Sequence, residues 1–278
     1  MLGSTLFRVL SKNAQYQVYG SVRNSELKKF FKSEYSKQII TDLDVLNTAN
    51  LKKVILQLNP QVIINCVGLV KQLTEAKNPL ISIPLNSLLP HQLLKIAGEV
   101  KARVIQISTD CVFSGHKGQY LESDFSDAED LYGRSKYLGE LDDYDNAITL
   151  RTSIIGHELT THKSLIDWFL SQEIKVKGYR QVIFSGLPTI EMAHIIEHCI
   201  IPEPQLHGLY HISAKPINKY DLLKLVAEIY HKKIEITADD QLKIDRSLNS
   251  ERFTRATGYV SPEWKTLITK MHENREQG

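Results

Sequence analysis

Residues 107–140 read ISTDCVFSGHKGQYLESDFSDAEDLYGRSKYLGE, and this stretch decides the fold. It opens at the end of Arg103–Ile107, an apolar run of the kind that forms a strand buried on both faces. Ser108 and Thr109 follow directly. In a parallel sheet the carboxyl end of a strand faces the ligand crevice, so two hydroxyls there can hydrogen-bond a substrate carbonyl. Tyr132 stands twenty-three residues after Thr109, and Lys136 four residues later, inside a helical pattern over Asp130–Leu141. That i,i+4 spacing puts both side chains on one helix face. An ammonium beside a phenol favours the phenolate and lowers the tyrosine pKa from about 10, which suits proton exchange near neutral pH. Tyr-x-x-x-Lys occurs often by chance. Its weight here comes from the hydroxyls at a strand end and from the pattern upstream. Taken singly, Thr109 reads equally as a strand-end cap and Tyr132 as a half-buried core aromatic.

Working outward, strands and helices alternate. Helical spacing covers Leu2–Leu10, Asn50–Leu58 and Ser82–Val100, the last bent at Pro90. Strand patterns cover Tyr16–Val22, Gln38–Ile40, Val62–Cys66 and Ala147–Arg151. This alternation predicts an α/β chain with a doubly wound parallel sheet. The second half is mixed, with helices over Leu165–Leu170, Glu191–Ile200, Lys219–Tyr230, Ser250–Thr257 and Trp264–Met271. Strands there are expected at Leu209–Ile212 and Ile234–Ile236. The division expected is 1–153 for a nucleotide-binding domain and 154–278 for a smaller lobe. Segments around 181–213 should return to pack on the first domain. No Gly/Ser linker separates the halves, so they should share a cleft.

The 278 residues are 42% hydrophobic, enough for a full core. Lys plus Arg number 34 and Asp plus Glu 32, a balance that leaves no electrostatic footprint for nucleic acid or an anionic membrane. Uncharged stretches at 54–70 and 78–94 are broken by Asn, Gln, Pro and Ser, so no membrane span is expected. Three separated cysteines, Cys66, Cys111 and Cys199, form no CxxC pair or Cys/His metal spacing. Reduced, buried thiols in a cytoplasmic protein, without a metal, are expected. Glycine is 14 of 278, below the usual share of about 7%.

STDCVFSG, DLYGRSKYLGE and LRTSIIG together resemble the extended short-chain dehydrogenase/reductases, nearest the dTDP-4-dehydrorhamnose reductase type. The resemblance extends to INCVG at 64–68 and GLYHIS at 208–213. It implies a Rossmann-like domain with a C-terminal substrate lobe, a nicotinamide cofactor, and reduction of a 4-keto-6-deoxy nucleotide sugar for surface polysaccharide. It also implies that Tyr132 is the proton donor, Lys136 its partner and Thr109 the hydroxyl holding the keto oxygen. Asp110, Val112 and Phe113 line the same turn and are candidate substrate contacts. Cys111 replaces the tyrosine usual in this motif, as a small buried hydrophobe or as a reactive thiol. Rivals are an epimerase or dehydratase of the same fold, for which the turn supplies no Glu, and a non-catalytic regulatory subunit. A homodimer is compatible with the family.

For the cofactor, Asp42 and Asp44 resemble the pair at the adenine edge. Cys66, Val67 and Gly68 follow a strand where the backbone passes close to the ligand, and Gly68 lacks the Cβ that would obstruct it. Asn86 matches a family asparagine, or is a solvated helix residue. An NAD-specific fold offers Asp or Glu after its second strand; here Arg23 stands there and can pair with a 2′-phosphate. NADPH is therefore expected in preference to NADH, unless Arg23 is merely a surface charge. Arg151, Lys177 and Arg180 are candidate substrate residues, the last two for a diphosphate or else solvated surface charges. Gly3 matches the third glycine of the family's phosphate turn, whose first two glycines and preceding strand have no counterpart in the sequence. Either the chain begins too late by about ten residues, the length of a strand and turn, or it is truly short and holds cofactor poorly.

Overall fold

The computed structural model describes residues 1–69, 71, 74–160 and 163–275. Helix α1 (Leu2–Leu10) turns Leu2, Leu6 and Leu10 inward. Strand β1 (Gly20–Ser21) pairs in parallel with β2 (Ile39–Ile40). Only these two residues of the predicted strand over Tyr16–Val22 join a ladder, while Tyr16 and Val18 pack on the main core. Helix α2 (Thr48–Leu58) is capped by Asn47, which accepts from the Asn50 N–H, and stops at Asn59 in the left-handed region. Strand β3 (Val62–Asn65) follows. Helix α3 (Pro79–Ser82), a π turn (Ile83–Leu88) and α4 (Leu89–Glu99) then run on as one rod. The bend expected at Pro90 takes the form of that π turn. Pro90 has no N–H to close a turn on the Asn86 carbonyl, so the ladder widens just before it.

Strand β4 (Arg103–Thr109), helix α5 (Leu131–Tyr137) and β5 (Ala147–Thr152) complete the first half. The second half contains β6 (Ile154–Ile155), α6 (Leu165–Ser171), β7 (Lys175–Tyr179), β8 (Val182–Phe184) and β9 (Leu187–Pro188). Helix α7 (Thr189–Ile195) continues into a π turn (Ile196–Ile200) and is followed by β10 (Gly208–His211), β11 (Ile217–Asn218) and α8 (Lys219–Ile229). Strands β12 (Glu235–Asp239) and β13 (Ile244–Asp245) precede α9 (Glu251–Thr257) and α10 (Trp264–Glu273).

The main sheet has the order β10–β5–β4–β3, all parallel. Strand β10 comes from late in the chain and pairs in parallel with β5. Strands β4 and β5 are covered on both faces. Val104 and Ala147 meet Leu94, Ala97 and Leu141 on one side. Ile105, Ile148 and Leu150 meet Met192, Ile195 and Phe253 on the other. The fully buried Val, Ile, Leu and Met side chains among these contribute about 1.5–3 kcal/mol each. The second core runs unbroken from α1 through the sheet to α8 and α10.

Two expectations need correction. Val62, Ile63 and Ile64 are only half-buried, because β3 is the edge of the four-stranded sheet and β1–β2 forms a separate pair among the described residues. The cysteines are free but not fully buried; Cys66, just past that edge, is exposed. In the second half β7 pairs in parallel with β12, and β8 lies between β11 and β13. No helix of the described residues is long and apolar enough to cross a membrane.

Candidate active site

Thr109 is the last residue of β4. Its hydroxyl accepts from the Cys111 N–H at 3.1 Å and donates to Asp110 Oδ1 at 3.2 Å, which fixes the turn beyond the strand. Tyr132 is the second residue of α5, and its phenol lies near enough to the Thr109 side chain for that hydroxyl to bear on its pKa. The helix starts where it does because Asp130 accepts from the Gly133 N–H at 2.8 Å. It lies against the turn because position 133 is glycine: a Cβ there would stand 2.2 Å from the Cys111 carbonyl oxygen. One turn further on, buried Lys136 donates to the Ile107 carbonyl at 2.7 Å.

The pairing expected between Lys136 and the phenol is different in the structure. Lys136 bonds the β4 backbone, and the largest influences on the Tyr132 pKa come from elsewhere. Burial raises the Tyr132 pKa, and Cys111, Asp110 and Asp130 push the same way. Burial lowers the Lys136 pKa to about 8, partly opposed by Glu140. The Cys111 thiol is pushed up to about 12 by burial, which favours the small-hydrophobe reading over the reactive one.

Asn86 is buried, not solvated. Its amide donates to Ser135 Oγ at 3.1 Å and Ser82 Oγ at 3.3 Å, and its oxygen accepts from the Leu69 N–H at 3.0 Å. It thus ties the π turn to α5 and to the loop after β3. In that loop Cys66, Val67 and Gly68 are exposed, and a Cβ on Gly68 would lie 3.2 Å from Asn86 Oδ1 and 3.8 Å from Lys136 Nζ. Gly3 abuts the same loop, its missing Cβ 3.3 Å from that of Cys66. Asp42 accepts from the Ser25 N–H and Asp44 from the Leu46 N–H, both from exposed positions beyond β2. Arg23 is exposed past β1, and no hydrogen bond or ion pair holds it among the described residues. These residues fit a dinucleotide: a backbone without Cβ, an ammonium with two further N–H groups beside it, and a guanidinium free for an anion.

Residues 1–276 match the family described as the RmlD substrate binding domain. The chain belongs to that family. It is 25% identical over 210 residues to methionine adenosyltransferase 2 subunit beta of Xenopus laevis, covering 68% of this chain and 60% of that protein. It is 26% identical over 254 residues to dTDP-4-dehydrorhamnose reductase of Escherichia coli (strain K12), covering 82% and 84%. The solved dTDP-4-dehydrorhamnose reductase of Bacillus anthracis, in complex with NADP, superposes with a TM-score of 0.75 at 19% identity, over 92% of this chain and 98% of that one.

Several predicted substrate residues of this RmlD-family chain are placed elsewhere. Val112 and Phe113 are fully buried with Tyr120 and Leu248, Phe113 stacking on Tyr120 at 4.1 Å, and of the two only Phe113 borders the cleft beside Cys111. Arg151 is 2% exposed and doubly bonded to Glu140 at 2.8 and 2.7 Å. Its remaining nitrogen donates to His211 Nε2 at 3.3 Å. A buried strand arginine needs such a counter-ion, and this one is structural. Lys177 pairs with Asp239 and Arg180 with Asp240 across β7 and β12, on an exposed sheet.

The cations that do meet the site were not evident in the sequence. A cleft of about 290 Å³ beside Cys111 is walled by Lys71, Asp130, Ala128 and Arg246. Arg246 donates to the Phe113 carbonyl at 2.7 Å, and Lys71 pairs with Asp130 at 2.5 Å. Lys219 acts on both Asp110 and Cys111, and its pKa is lowered by burial. Asp110 is buried and its pKa raised by that burial, against the pull of Arg246 and Lys219. Lys219 and Arg246 lie more than a hundred residues beyond the turn, with no local pattern to mark them.

Proposed function

We propose that this chain is an NADPH-dependent reductase of a 4-keto-6-deoxy nucleotide sugar, a cytoplasmic enzyme of surface-polysaccharide precursor synthesis. Residues 1–153 serve the cofactor, and the remainder mainly the substrate. The observation that carries this reading is the placement of Thr109 at the carboxyl end of β4 beside Tyr132 of α5, with buried Lys136 one turn behind. When bound, the nicotinamide supplies hydride to C4 of the sugar. Thr109 orients the carbonyl oxygen, and Tyr132 gives it a proton, so the ketone becomes a secondary alcohol and the phenol a phenolate. Lys136 stabilises that phenolate from the same face. The cluster Lys71, Lys219 and Arg246, in place of Lys177 and Arg180, takes the substrate diphosphate. Free Arg23 accounts for the preference for NADPH over NADH.

The test is NADPH oxidation with a panel of nucleotide 4-keto sugars, repeated with Tyr132→Phe. Loss of a general acid costs about 10²- to 10⁴-fold in kcat, with an unchanged thermal melt. Near-normal turnover by the variant overturns the assignment. Similarity to methionine adenosyltransferase 2 subunit beta favours a second reading, a partner-binding subunit. That reading gains if the wild-type chain binds NADPH and oxidises none with any keto sugar.

A further inference from the structure

We propose a transition-metal site at His194, Glu197 and His198, remote in sequence from the catalytic residues, that takes one Zn²⁺ per chain. One ligand atom from each residue lies within 4.8 Å of the others. Donors bound to one tetrahedral Zn²⁺ at about 2.0–2.2 Å sit about 3.4 Å apart, so small rotations of exposed imidazoles close the set. The spacing His-x-x-Glu-His spans the join of α7 and the π turn, with buried Glu197 beside two exposed imidazoles. Sequence inspection for cysteine-containing spacings passes over it.

Three further features favour a built site over a chance surface cluster. First, Glu197 is buried and fixed: its Oε1 accepts from Asn13 Nδ2 at 3.0 Å, leaving Oε2 3.7 Å from His198 Nδ1, and that Nδ1 meets the His194 carbonyl at 3.0 Å, which leaves Nε2 of His198 for a metal. Such outer hydrogen bonds orient metal-binding carboxylates. Second, Glu197 and His198 lie in the π turn after α7, and π turns recur at functional sites. Third, a cleft of about 260 Å³ opens beside His194 and Glu197, walled by Val9, Asn13, Ile190 and Asn274. It leaves room for a water or a further ligand in the fourth position. Two imidazoles and one carboxylate suit Zn²⁺, not Mg²⁺ or Ca²⁺, which prefer all-oxygen shells. The ion would sit where the ends of α1 and α10 meet α7, joining the front of the chain to its last helix.

The experiment titrates the untagged full chain with Zn²⁺ alone by calorimetry, and with Co²⁺ followed by visible absorbance. The expected result is one ion per chain, a visible Co²⁺ band, and a raised Tm with Zn²⁺ but not Mg²⁺. His198 is exposed, so His198→Ala should fold normally and weaken Zn²⁺ binding at least tenfold; His194→Ala should do the same. Binding by the double variant His194→Ala/His198→Ala equal to wild type, or no saturable binding by wild type, overturns the proposal.

Discussion

Replacing Gly133 by Ala tests how the proton donor is held. The added methyl would lie 2.2 Å from the Cys111 carbonyl oxygen and 2.6 Å from Ala128 Cβ. Ordinary contact needs about 3.2–3.5 Å, so α5 must retreat by about 1 Å from a wall that is backbone, not a movable side-chain end. Alanine gains about 1 kcal/mol of helix propensity over glycine. Overpacking costs about 1–3 kcal/mol, so the net is a loss of about 1 kcal/mol and a Tm lower by about 2–4 °C. The retreat carries Tyr132 away from Thr109, and a 1 Å misplacement at a reacting group costs about 100-fold in rate. Gly98, in α4, is the control, since nothing lies within 4 Å of a Cβ there. Gly98→Ala should stabilise by about 0.4–1 kcal/mol with unchanged turnover. Thermal melts and NADPH-oxidation rates on both variants decide the matter. Gly133→Ala that melts no lower than wild type and turns over within threefold of it would refute the claim that this contact sets the Tyr132 position.

Arg151→Ala strands Glu140 in the interior and should destabilise by about 3–5 kcal/mol in denaturant titration; the residual enzyme should keep its KM, as a substrate-binding role would not allow. His211 is buried and neutral, donating from Nδ1 to the Tyr120 carbonyl, with its pKa lowered to about 3 by burial and then by Arg151. Unfolded His titrates near 6.5, so the unfolded chain binds the extra proton first. Stability held above pH 6.5 should fall as pH drops toward 3, by about 1.4 kcal/mol per unit from this group, and His211→Gln should flatten that slope. Lys136, with a pKa near 8, loses its charge as pH rises. The kcat/KM profile should therefore decline above about pH 8, and a flat profile to pH 10 would deny the ammonium its role. Arg23→Ser should raise the KM for NADPH more than tenfold and leave that for NADH unchanged, read from parallel initial-rate curves.

What could be read in the chain before folding was what local pattern encodes. Strands β4 and β5 announce themselves as unbroken apolar runs because both faces are covered, and Tyr132 and Lys136 share a face because a helix repeats every 3.6 residues. The opposite case is Arg151, whose strand-end position suggested substrate. Its partner Glu140 lies eleven residues upstream, and only the fold shows that the pair is sealed beneath Ser108 and His211. A charged residue inside an all-buried strand was a signal for a counter-ion, since an isolated buried charge is too costly to keep. Arg246 and Lys219 had no such signal, because their approach to Asp110 is purely tertiary.

The protonation state of Tyr132 bears on the direction of the reaction. A phenol beside a charged lysine was expected to sit low, as a base would. The structure instead buries it, and desolvation, helped by the nearby carboxyl groups of Asp110 and Asp130, keeps it neutral. A neutral phenol is the competent form for giving a proton to a forming alkoxide, so the unliganded arrangement is already set for reduction. The phenolate left behind is the species that needs help, and it forms where Lys136, held by a single bond to Ile107, keeps two N–H groups for other partners. In the proposed mechanism Lys136 therefore acts after the transfer more than before it, by stabilising the charge that transfer creates. The same burial that holds the Tyr132 proton in place lowers the lysine toward 8, so one desolvated floor tunes donor and stabiliser in opposite directions.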